Sequence, residues 1–302
     1  GAGTGGRVRI GDTAAATSPQ VAAERRFGTR LAALTGGRYP VQVVPAAALG
    51  DHHRMIEQVR TGSLTMTRTL CGNLARFDQR LGVLALPYLY QDPADLFAAL
   101  GGALGAGIAR IIEAADLVVL GYFDSGTRNV FTNGRPVHSP DDLRGLRLRV
   151  PQDVILTDTF TALGAKVVPL ATTEIGPALR RGTIDGAEND LASYLDHGYA
   201  PLAATWSWTR HRVVVDVLLA GRRWFTDLPG RDRDAVVQAA QEAAGYQRQL
   251  LAARTAELTA GLAAGNVLVN DVDAAAFQRA VRPVIDKHRG EFGDLIRLLP
   301  VA

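Results

Sequence analysis

Residues 145–151 read GLRLRVP, and this short stretch predicts a β-strand that carries two arginines. A glycine opens the run, a proline closes it, and apolar residues alternate with Arg147 and Arg149 between them. Because side chains alternate across a strand, the apolar residues share one face and both arginines share the other. Whether this cationic face meets solvent or a ligand bears directly on the function of the chain.

The segments around this strand predict an α/β fold with two lobes. Three short strands come first, at 8–10, 41–44 and 64–67, and helices separate them. This order implies a parallel sheet with helices on its faces. A second series of strands is predicted at 117–123, 128–132, 146–150, 166–170 and, later, 213–219. Helices at about 153–163 and 174–181 separate the later strands of this series.

A helix predicted from residue 232 to about 264 would span roughly 45–50 Å at ~1.5 Å per residue, longer than one small domain is wide. The lobes are therefore predicted to be joined by strands and one long helix, without a flexible tether. The predicted first lobe comprises 1–123 and about 213–255. The predicted second lobe comprises about 124–212 and 256–302.

Composition narrows the class of protein. The 302 residues are 47% hydrophobic and 21% charged, which is typical of a globular protein. Only Lys166 and Lys287 are lysines among the 33 basic residues, and these residues form no long basic run, so no nucleic-acid partner is predicted. The single cysteine, Cys71, excludes an intramolecular disulfide and a multi-cysteine zinc site.

The familiar catalytic motifs are missing. The chain has no P-loop, no His-Glu-x-x-His and no Gly-x-Ser-x-Gly. The letters GxGxxG occur at 1–6, but they precede a strand where a dinucleotide fingerprint must follow one. The sequence therefore predicts a protein that is not an enzyme and that uses no cofactor and no metal.

Three stretches between residues 124 and 229 carry a family resemblance. They read DSGTRNVFTNGRPVHSPDDLRGLRLRVP, then ALGAKVVPLATTEIGPALRRGTIDGAEND, then HRVVVDVLLAGRRWFTDLP. Their Gly-x-Arg, Leu-x-Gly-Leu-x-Leu-Arg-Val-Pro and Gly-x-x-Asp-Gly-x-Glu-Asn elements resemble those of DctP-type solute-binding proteins of TRAP transporters (tripartite ATP-independent periplasmic transporters). The resemblance covers about residues 7 to 290.

This resemblance implies a fold like that of other periplasmic binding proteins, with two α/β lobes that close around a small molecule. It implies a periplasmic receptor whose signal peptide, absent from this chain, has been removed. The expected partners are a small carboxylate ligand and the TRAP membrane permease subunits, and the receptor is expected to be a monomer.

The resemblance also assigns roles to individual residues. Arg149 matches the family arginine that pairs with the ligand carboxylate, which a planar guanidinium can bind through two parallel hydrogen bonds. Arg128 matches a second family arginine on a neighbouring strand. Asn189 matches an asparagine that contacts the carboxylate or an adjacent hydroxyl. Arg147 matches a position of no fixed role, so it is predicted to face solvent.

The phrase AENDLASYLDHGY, residues 187–199, resembles the branch of the family associated with uronates and other sugar acids. Together with Asn189, Glu188 and Asp216 could accept hydrogen bonds from sugar hydroxyls. Thr172 stands where sialate binders have an aromatic residue, which argues against a sialate ligand. The remaining predicted contacts are Arg68, Gln20 and Tyr88.

Three alternatives remain open at this stage. The ligand could be a small keto acid or a C4-dicarboxylate instead of a sugar acid. The chain could be the receptor of an ATP-driven importer, which has a similar two-lobe shape. It could also be an enzyme on an α/β scaffold, although it lacks a recognisable catalytic constellation.

Overall fold

The computed structural model describes residues 5–301, so residues 1–4 of the GxGxxG letters lie outside the described part. The chain forms two compact units. Unit 1 comprises the chain up to Gly82, with Phe97–Ser125 and Val215–Ala252. Unit 2 comprises Val83–Leu96, Gly126–Val214 and the chain from Ala253 onwards.

Unit 1 begins with the predicted order of strands and helices. Strand β1 pairs in parallel with both β2 and β3. Ser18 caps the first helix, since its hydroxyl accepts a hydrogen bond from the Val21 amide, and Gly36 ends the helix in a left-handed conformation. The bounds are β1 Val8–Gly11, α1 Pro19–Thr35, β2 Val41–Val44, α2 His52–Thr61 and β3 Met66–Leu70.

The middle of the chain holds two 3-10 helices and two α-helices, followed by the first long strand: Cys71–Arg76, Gln79–Ala85, α3 Pro93–Leu100, α4 Ala103–Glu113 and β4 Leu117–Thr132. Among the described residues no single helix is long and apolar enough to cross a membrane; α3 and α4 reach that length and hydropathy only as a pair, bent by 57°. Strand β4 passes from unit 1 into unit 2 at Ser125.

Unit 2 continues with alternating helices and strands. Strand β7 is antiparallel to β4 and parallel to β5, and β5 is parallel to β6. The apolar face of β5, with Leu148 and Val150, packs against Phe160 and Phe277 in the core of this unit. The bounds are α5 Pro140–Leu143, β5 Arg147–Val150, α6 Val154–Ala162, β6 Lys166–Pro169, α7 Thr172–Arg181, β7 Gly186–Asn189 and α8 Leu191–Asp196.

The last part of the chain returns to unit 1 and then to unit 2. Strand β8 is antiparallel to β3 at one end and parallel to β9 at the other. The long helix α10 contains residues of both units. The bounds are β8 Thr205–Gly221, α9 Arg222–Asp227, α10 Gly230–Ala264, β9 Leu268–Asp271, α11 Ala274–His288 and a 3-10 helix Arg289–Leu298.

The structure differs from the predicted elements in several places. The predicted strands 117–123 and 128–132 form one strand, β4, which continues through the left-handed Gly126. No helix was predicted between strands β7 and β8, yet α8 forms there, and Asp190 caps its first turn. Residues 83–96, predicted in the first lobe, belong to unit 2, where the Tyr88 ring packs 6.1 Å from that of Phe277.

Strand β8 begins eight residues before its predicted start at 213. Its first half alternates buried polar side chains with Trp206 and Trp208, so the apolar pattern of a strand is hidden. The buried hydroxyls are hydrogen-bonded instead. Ser207 accepts from the Val137 amide, and Thr209 accepts from the Val130 amide.

His288 ends helix α11 in a buried contact with two carboxylates. Its Nε2 lies 2.7 Å from Oδ2 of Asp158, and its Nδ1 lies 2.7 Å from Oε1 of Glu291. Both nitrogens must donate for both contacts to be hydrogen bonds, which requires the imidazolium. Burial opposes this charge, but the two carboxylates raise the pKa of His288 above its ordinary value.

We therefore expect the contribution of His288 to folding to depend on pH. Because the pKa of His288 is higher in the folded than in the unfolded protein, its protonation stabilises the folded state fully below about pH 6.5. This stabilisation is lost as the pH rises through the folded-state pKa. The difference in free energy of unfolding between wild type and His288→Gln, measured with urea from pH 5 to 9, should be largest at the acid end. Asp158→Asn removes one of the two carboxylates, so its difference from wild type should also be largest at the acid end. A difference that does not depend on pH in either variant would mean that His288 is not held as an imidazolium in the folded protein.

Candidate functional site

Arg149 lies on β5 in unit 2 with only 2% of its surface exposed. Its Nε donates to the carbonyl oxygen of Leu170 at 2.8 Å. Within residues 5–301, no carboxylate forms an ion pair with its guanidinium, and Nη1 and Nη2 have no hydrogen-bond acceptor. Burial is the main reason that the pKa of Arg149 falls below its usual value, and the charge of Arg128 acts in the same direction.

Arg128, on β4, forms a two-pronged ion pair with Glu188 on β7. Its Nε lies 2.7 Å from Oε2 and its Nη2 lies 2.6 Å from Oε1. Burial alone would raise the pKa of Glu188, but Arg128 and the neighbouring His211 hold it well below its usual range. Glu188 is therefore an anion that compensates Arg128.

His211 completes this network in the buried half of β8. Its Nε2 lies 2.7 Å from Oε2 of Glu188, and its Nδ1 lies 2.9 Å from the hydroxyl of Thr209. Burial lowers the pKa of His211 more than Glu188 raises it, so the ring is neutral near pH 7. A neutral His211 donates from Nε2 to Glu188 and accepts at Nδ1 from Thr209.

Asn189 ends β7 beside this cluster and is mostly buried. Its Oδ1 accepts from the Asp190 amide at 2.9 Å, which leaves its amide nitrogen as the group available to donate. Arg149 is in register with Ala187, so its guanidinium and the Asn189 amide lie near the carboxyl ends of two adjacent parallel strands. Open α/β sheets bind ligands at these ends.

Arg147, two residues before Arg149, has a different environment. Its side chain is 44% exposed, and its Nε and Nη2 donate to the two carboxylate oxygens of Asp185 at 3.0 and 2.7 Å. The prediction that Arg147 faces solvent agrees with this exposure. Its charge is already compensated, whereas that of Arg149 is not.

Unit 1 contains a second buried ion cluster around Arg68, which is 5% exposed. Its Nε lies 2.7 Å from Oδ2 of Asp12, and its Nη1 lies 2.8 Å from Oδ2 of Asp216. Both Arg68 and Asp216 were predicted as ligand contacts, and within unit 1 they pair with each other. Asp12 was not singled out from the sequence, because its partner stands 56 residues away.

The same cluster holds more acid than base. Burial raises the pKa of Asp216 to about 6 despite Arg68, whereas Arg68 overcomes the effect of burial on Asp12 and lowers its pKa. Glu24 is fully buried, and neither of its carboxyl oxygens has a hydrogen-bond partner in the described chain. Burial and the charge of Asp12 raise the pKa of Glu24 well above its usual value, so Glu24 is protonated.

The three remaining predicted contacts lie in different places. Thr172 is exposed at the start of α7, two residues after Leu170, and its carbonyl oxygen accepts from the Tyr199 hydroxyl at 3.3 Å. Gln20 is half-buried in the first turn of α1 in unit 1. Tyr88 is buried in unit 2 against Phe277.

Residues 10–291 match the family described as bacterial extracellular solute-binding protein, family 7 (DctP). The chain belongs to this family, and the prediction that it is a TRAP solute-binding protein is confirmed. Members of the family are binding proteins and not enzymes, so the enzyme alternative is wrong, as is the receptor of an ATP-driven importer.

The chain is similar to a solute-binding protein of Chromohalobacter salexigens, with 31% identity over 93% of this chain and 84% of the relative. It is also similar to a solved TRAP solute-binding protein of Roseobacter denitrificans with bound β-D-glucuronate (30% identity, TM-score 0.83, 97% and 98% of the two chains). A third similar structure, from Bradyrhizobium, contains D-galacturonate (32% identity, TM-score 0.81, 97% and 98%). The predicted two-lobe α/β fold class is thereby confirmed.

The protonated state of Glu24 predicts how Glu24→Gln changes stability. An acid with a raised folded-state pKa favours folding below its unfolded value of about 4.5, and this contribution is lost as the pH rises towards the folded value. A glutamine of similar shape does not titrate. We expect the free energy of unfolding of Glu24→Gln, relative to wild type, to increase from pH 4 to pH 8.

Urea unfolding at several pH values measures this difference. Glu57→Gln is the control, because Glu57 is exposed and pairs with Arg60 and Arg76 at the surface of unit 1. If the free energy of unfolding of Glu24→Gln, relative to wild type, falls as the pH rises, Glu24 is an anion in the folded protein.

Proposed function

We propose that this protein is the extracytoplasmic receptor of a TRAP transporter and that it binds a sugar acid, a uronate or an aldonate, through Arg149. The observation that carries the proposal is a buried guanidinium without an anionic partner in unit 2. A buried charge is unfavourable unless it is paired, so the site favours an anionic ligand. With Nε held by Leu170, the two Nη groups are the donors directed to a carboxylate.

The charges of the cluster support a ligand with one carboxylate. Arg149 and Arg128 are cations, Glu188 is an anion and His211 is neutral, so the cluster carries one net positive charge. A monoanion neutralises it, whereas the second carboxylate of a C4-dicarboxylate would have no partner in this cluster. A keto acid with one carboxylate remains compatible by charge.

Hydrogen-bonding groups beside Arg149 favour a hydroxylated ligand over a simple keto acid. The Asn189 amide can donate to a hydroxyl, and Nη1 of Arg128 is not used by Glu188. Relatives and similar structures agree in chemistry: they include a 2,3-diketo-L-gulonate-binding protein of Escherichia coli and proteins solved with galacturonate, glucuronate and galactonate. The exposed, small Thr172 does not provide the aromatic surface expected for sialate.

Location and partners follow from the same proposal. The receptor is periplasmic, acts as a monomer and delivers its ligand to the TRAP membrane permease subunits. Asp216, Arg68, Gln20 and Tyr88 remain proposed contacts, of which Arg68 and Asp216 are the most constrained, because they already pair within unit 1.

Substitutions of Arg149 test the clamp. Arg149→Lys keeps the charge but loses the two parallel N–H donors of the guanidinium. We therefore expect calorimetry with D-glucuronate or D-galacturonate to show at least about tenfold weaker binding, ~1.4 kcal/mol. Arg149→Met should abolish binding while the ligand-free protein keeps its unfolding temperature, because an unpaired buried charge is replaced by apolar volume.

Arg147→Lys is the matched control, because Arg147 lies on the same strand and pairs with the exposed Asp185. Its affinity should stay within about twofold of wild type. An equal loss of affinity in Arg147→Lys and Arg149→Lys would mean that the binding site lies elsewhere. An Arg149→Met protein that still binds sugar acids would mean the same.

Thermal unfolding against a ligand panel tests the ligand class separately. A ligand at 100 times its dissociation constant adds ~2.7 kcal/mol, enough to raise the unfolding temperature by several degrees. We expect D-glucuronate, D-galacturonate and D-galactonate to raise it, and succinate to leave it unchanged. A shift with pyruvate alone would retain Arg149 but replace the sugar-acid ligand by a keto acid, and a shift with succinate alone would contradict the charge argument.

A further inference from the structure

Unit 2 contains a cavity of about 790 Å³ that lies outside the group of residues around Arg149. Arg149, Arg128 and Asn189 are not among the residues that line it. It is bounded by β4, β8, β9 and the unit 2 half of α10, together with residues 88–93 and 272–274. The cavity is therefore a separate feature of this unit.

Two residues that line the cavity have strained backbones. Tyr88 and Arg210 adopt left-handed conformations with φ of 55° and 44°, although neither is a glycine. This conformation is unfavourable for a residue with a side chain, and in proteins such residues concentrate at binding and active sites. Hydrogen bonds hold both: the Tyr88 amide donates to the His211 carbonyl at 3.0 Å, and the Arg210 amide donates to Oδ1 of Asn129 at 2.9 Å.

The Tyr88 side chain, which lines this cavity and two neighbouring ones, supplies a second observation. It is 8% exposed, and its hydroxyl is buried without a hydrogen-bond partner among residues 5–301. A buried hydroxyl without a partner is unfavourable and in native proteins is explained by a water, an ion or a ligand. Thr127 and Thr255 line this cavity as well, and a threonine hydroxyl can both donate and accept.

Trp208 provides an aromatic wall. Its indole is held edge-on against the buried Trp206 at 5.4 Å, and the Arg210 guanidinium lies 5.2 Å from its ring centre. The Arg210 side chain is 51% exposed, and its ion pair with Asp271 is long, 3.7 Å, so a ligand can displace it at little energetic cost. An indole face with hydroxyl and amide groups around it suits the apolar C–H face of a pyranose ring.

The charges around the cavity separate its ligand from that of Arg149. Asp92 and Asp271 are two acids against the single cation Arg210, so a carboxylate ligand would face a net negative charge. We propose that this cavity is a second binding site that takes a neutral polyhydroxylated molecule, of the chemical class of a monosaccharide. The proposal stands apart from the arginine site, because Arg149, Arg128 and Asn189 do not line this cavity.

Nuclear magnetic resonance of the tryptophan indole groups tests this site with D-glucose and D-galactose as probes. The chain has three tryptophans, Trp206, Trp208 and Trp224, so their N–H signals can be assigned by substitution. We expect the Trp208 signal to shift saturably with at least one probe, while that of Trp224, in unit 1, stays in place. No saturable shift of Trp208 with either sugar would overturn the proposal.

Tyr88→Phe removes only the hydroxyl and keeps the ring against Phe277. We expect a higher unfolding temperature without sugar, together with at least about fivefold weaker binding of the sugar that shifts Trp208. A purely structural tyrosine would change the unfolding temperature and leave the affinity unchanged, which would contradict the proposed contact.

The Arg149→Lys background separates the two sites. Binding of the neutral sugar should be the same in that variant as in wild type. If D-glucuronate shifts Trp208 there more strongly than the neutral sugars do, the cavity is an anion site and the proposed ligand class is wrong.

Discussion

A buried guanidinium requires an anion, and this requirement organises the polar interior of the protein. Arg128 and Arg68 find theirs within the chain, in Glu188 and in Asp12 with Asp216. Arg149 does not find one among the described residues, although it is as deeply buried as they are. The unfavourable desolvation of one cation thus remains uncompensated in the ligand-free protein, and an anion that reaches Arg149 gains the compensation as binding free energy.

The remaining polar groups of unit 2 keep that cation unpaired. Glu188 is the acid that most favours the charge of Arg149, but Arg128 binds both of its carboxylate oxygens and His211 shares one of them. The hydroxyl of Thr209 fixes His211, and the Val130 amide in turn fixes Thr209. The buried polar residues of β8 therefore contribute to ligand charge selectivity without contacting the ligand, because they prevent Glu188 from neutralising Arg149.

Unit 1 solves the opposite problem, since its buried cluster contains an excess of acids. Arg68 compensates Asp12 and pairs with Asp216, whose pKa nevertheless rises to about 6 because burial dominates. Glu24 becomes neutral by keeping its proton. The two units thus treat buried charge differently: the one excess cation of unit 2 is available to a ligand, whereas unit 1 reduces its excess of negative charge by keeping Glu24 protonated.

The sequence by itself determined the strand at 147–150, the alternation of helices and strands and, through spaced motifs, the family, because these depend on neighbours within a few residues. It also marked Arg149 and Arg128 as candidates. It could not distinguish the paired from the unpaired arginines, since Arg128 meets Glu188 across 60 residues and Arg68 meets Asp216 across 148. The start of β8 and the neutral state of Glu24 were likewise hidden, because burial and partners far along the chain set them. Only the tertiary structure, by fixing these distant contacts, decided which charges remain for a ligand.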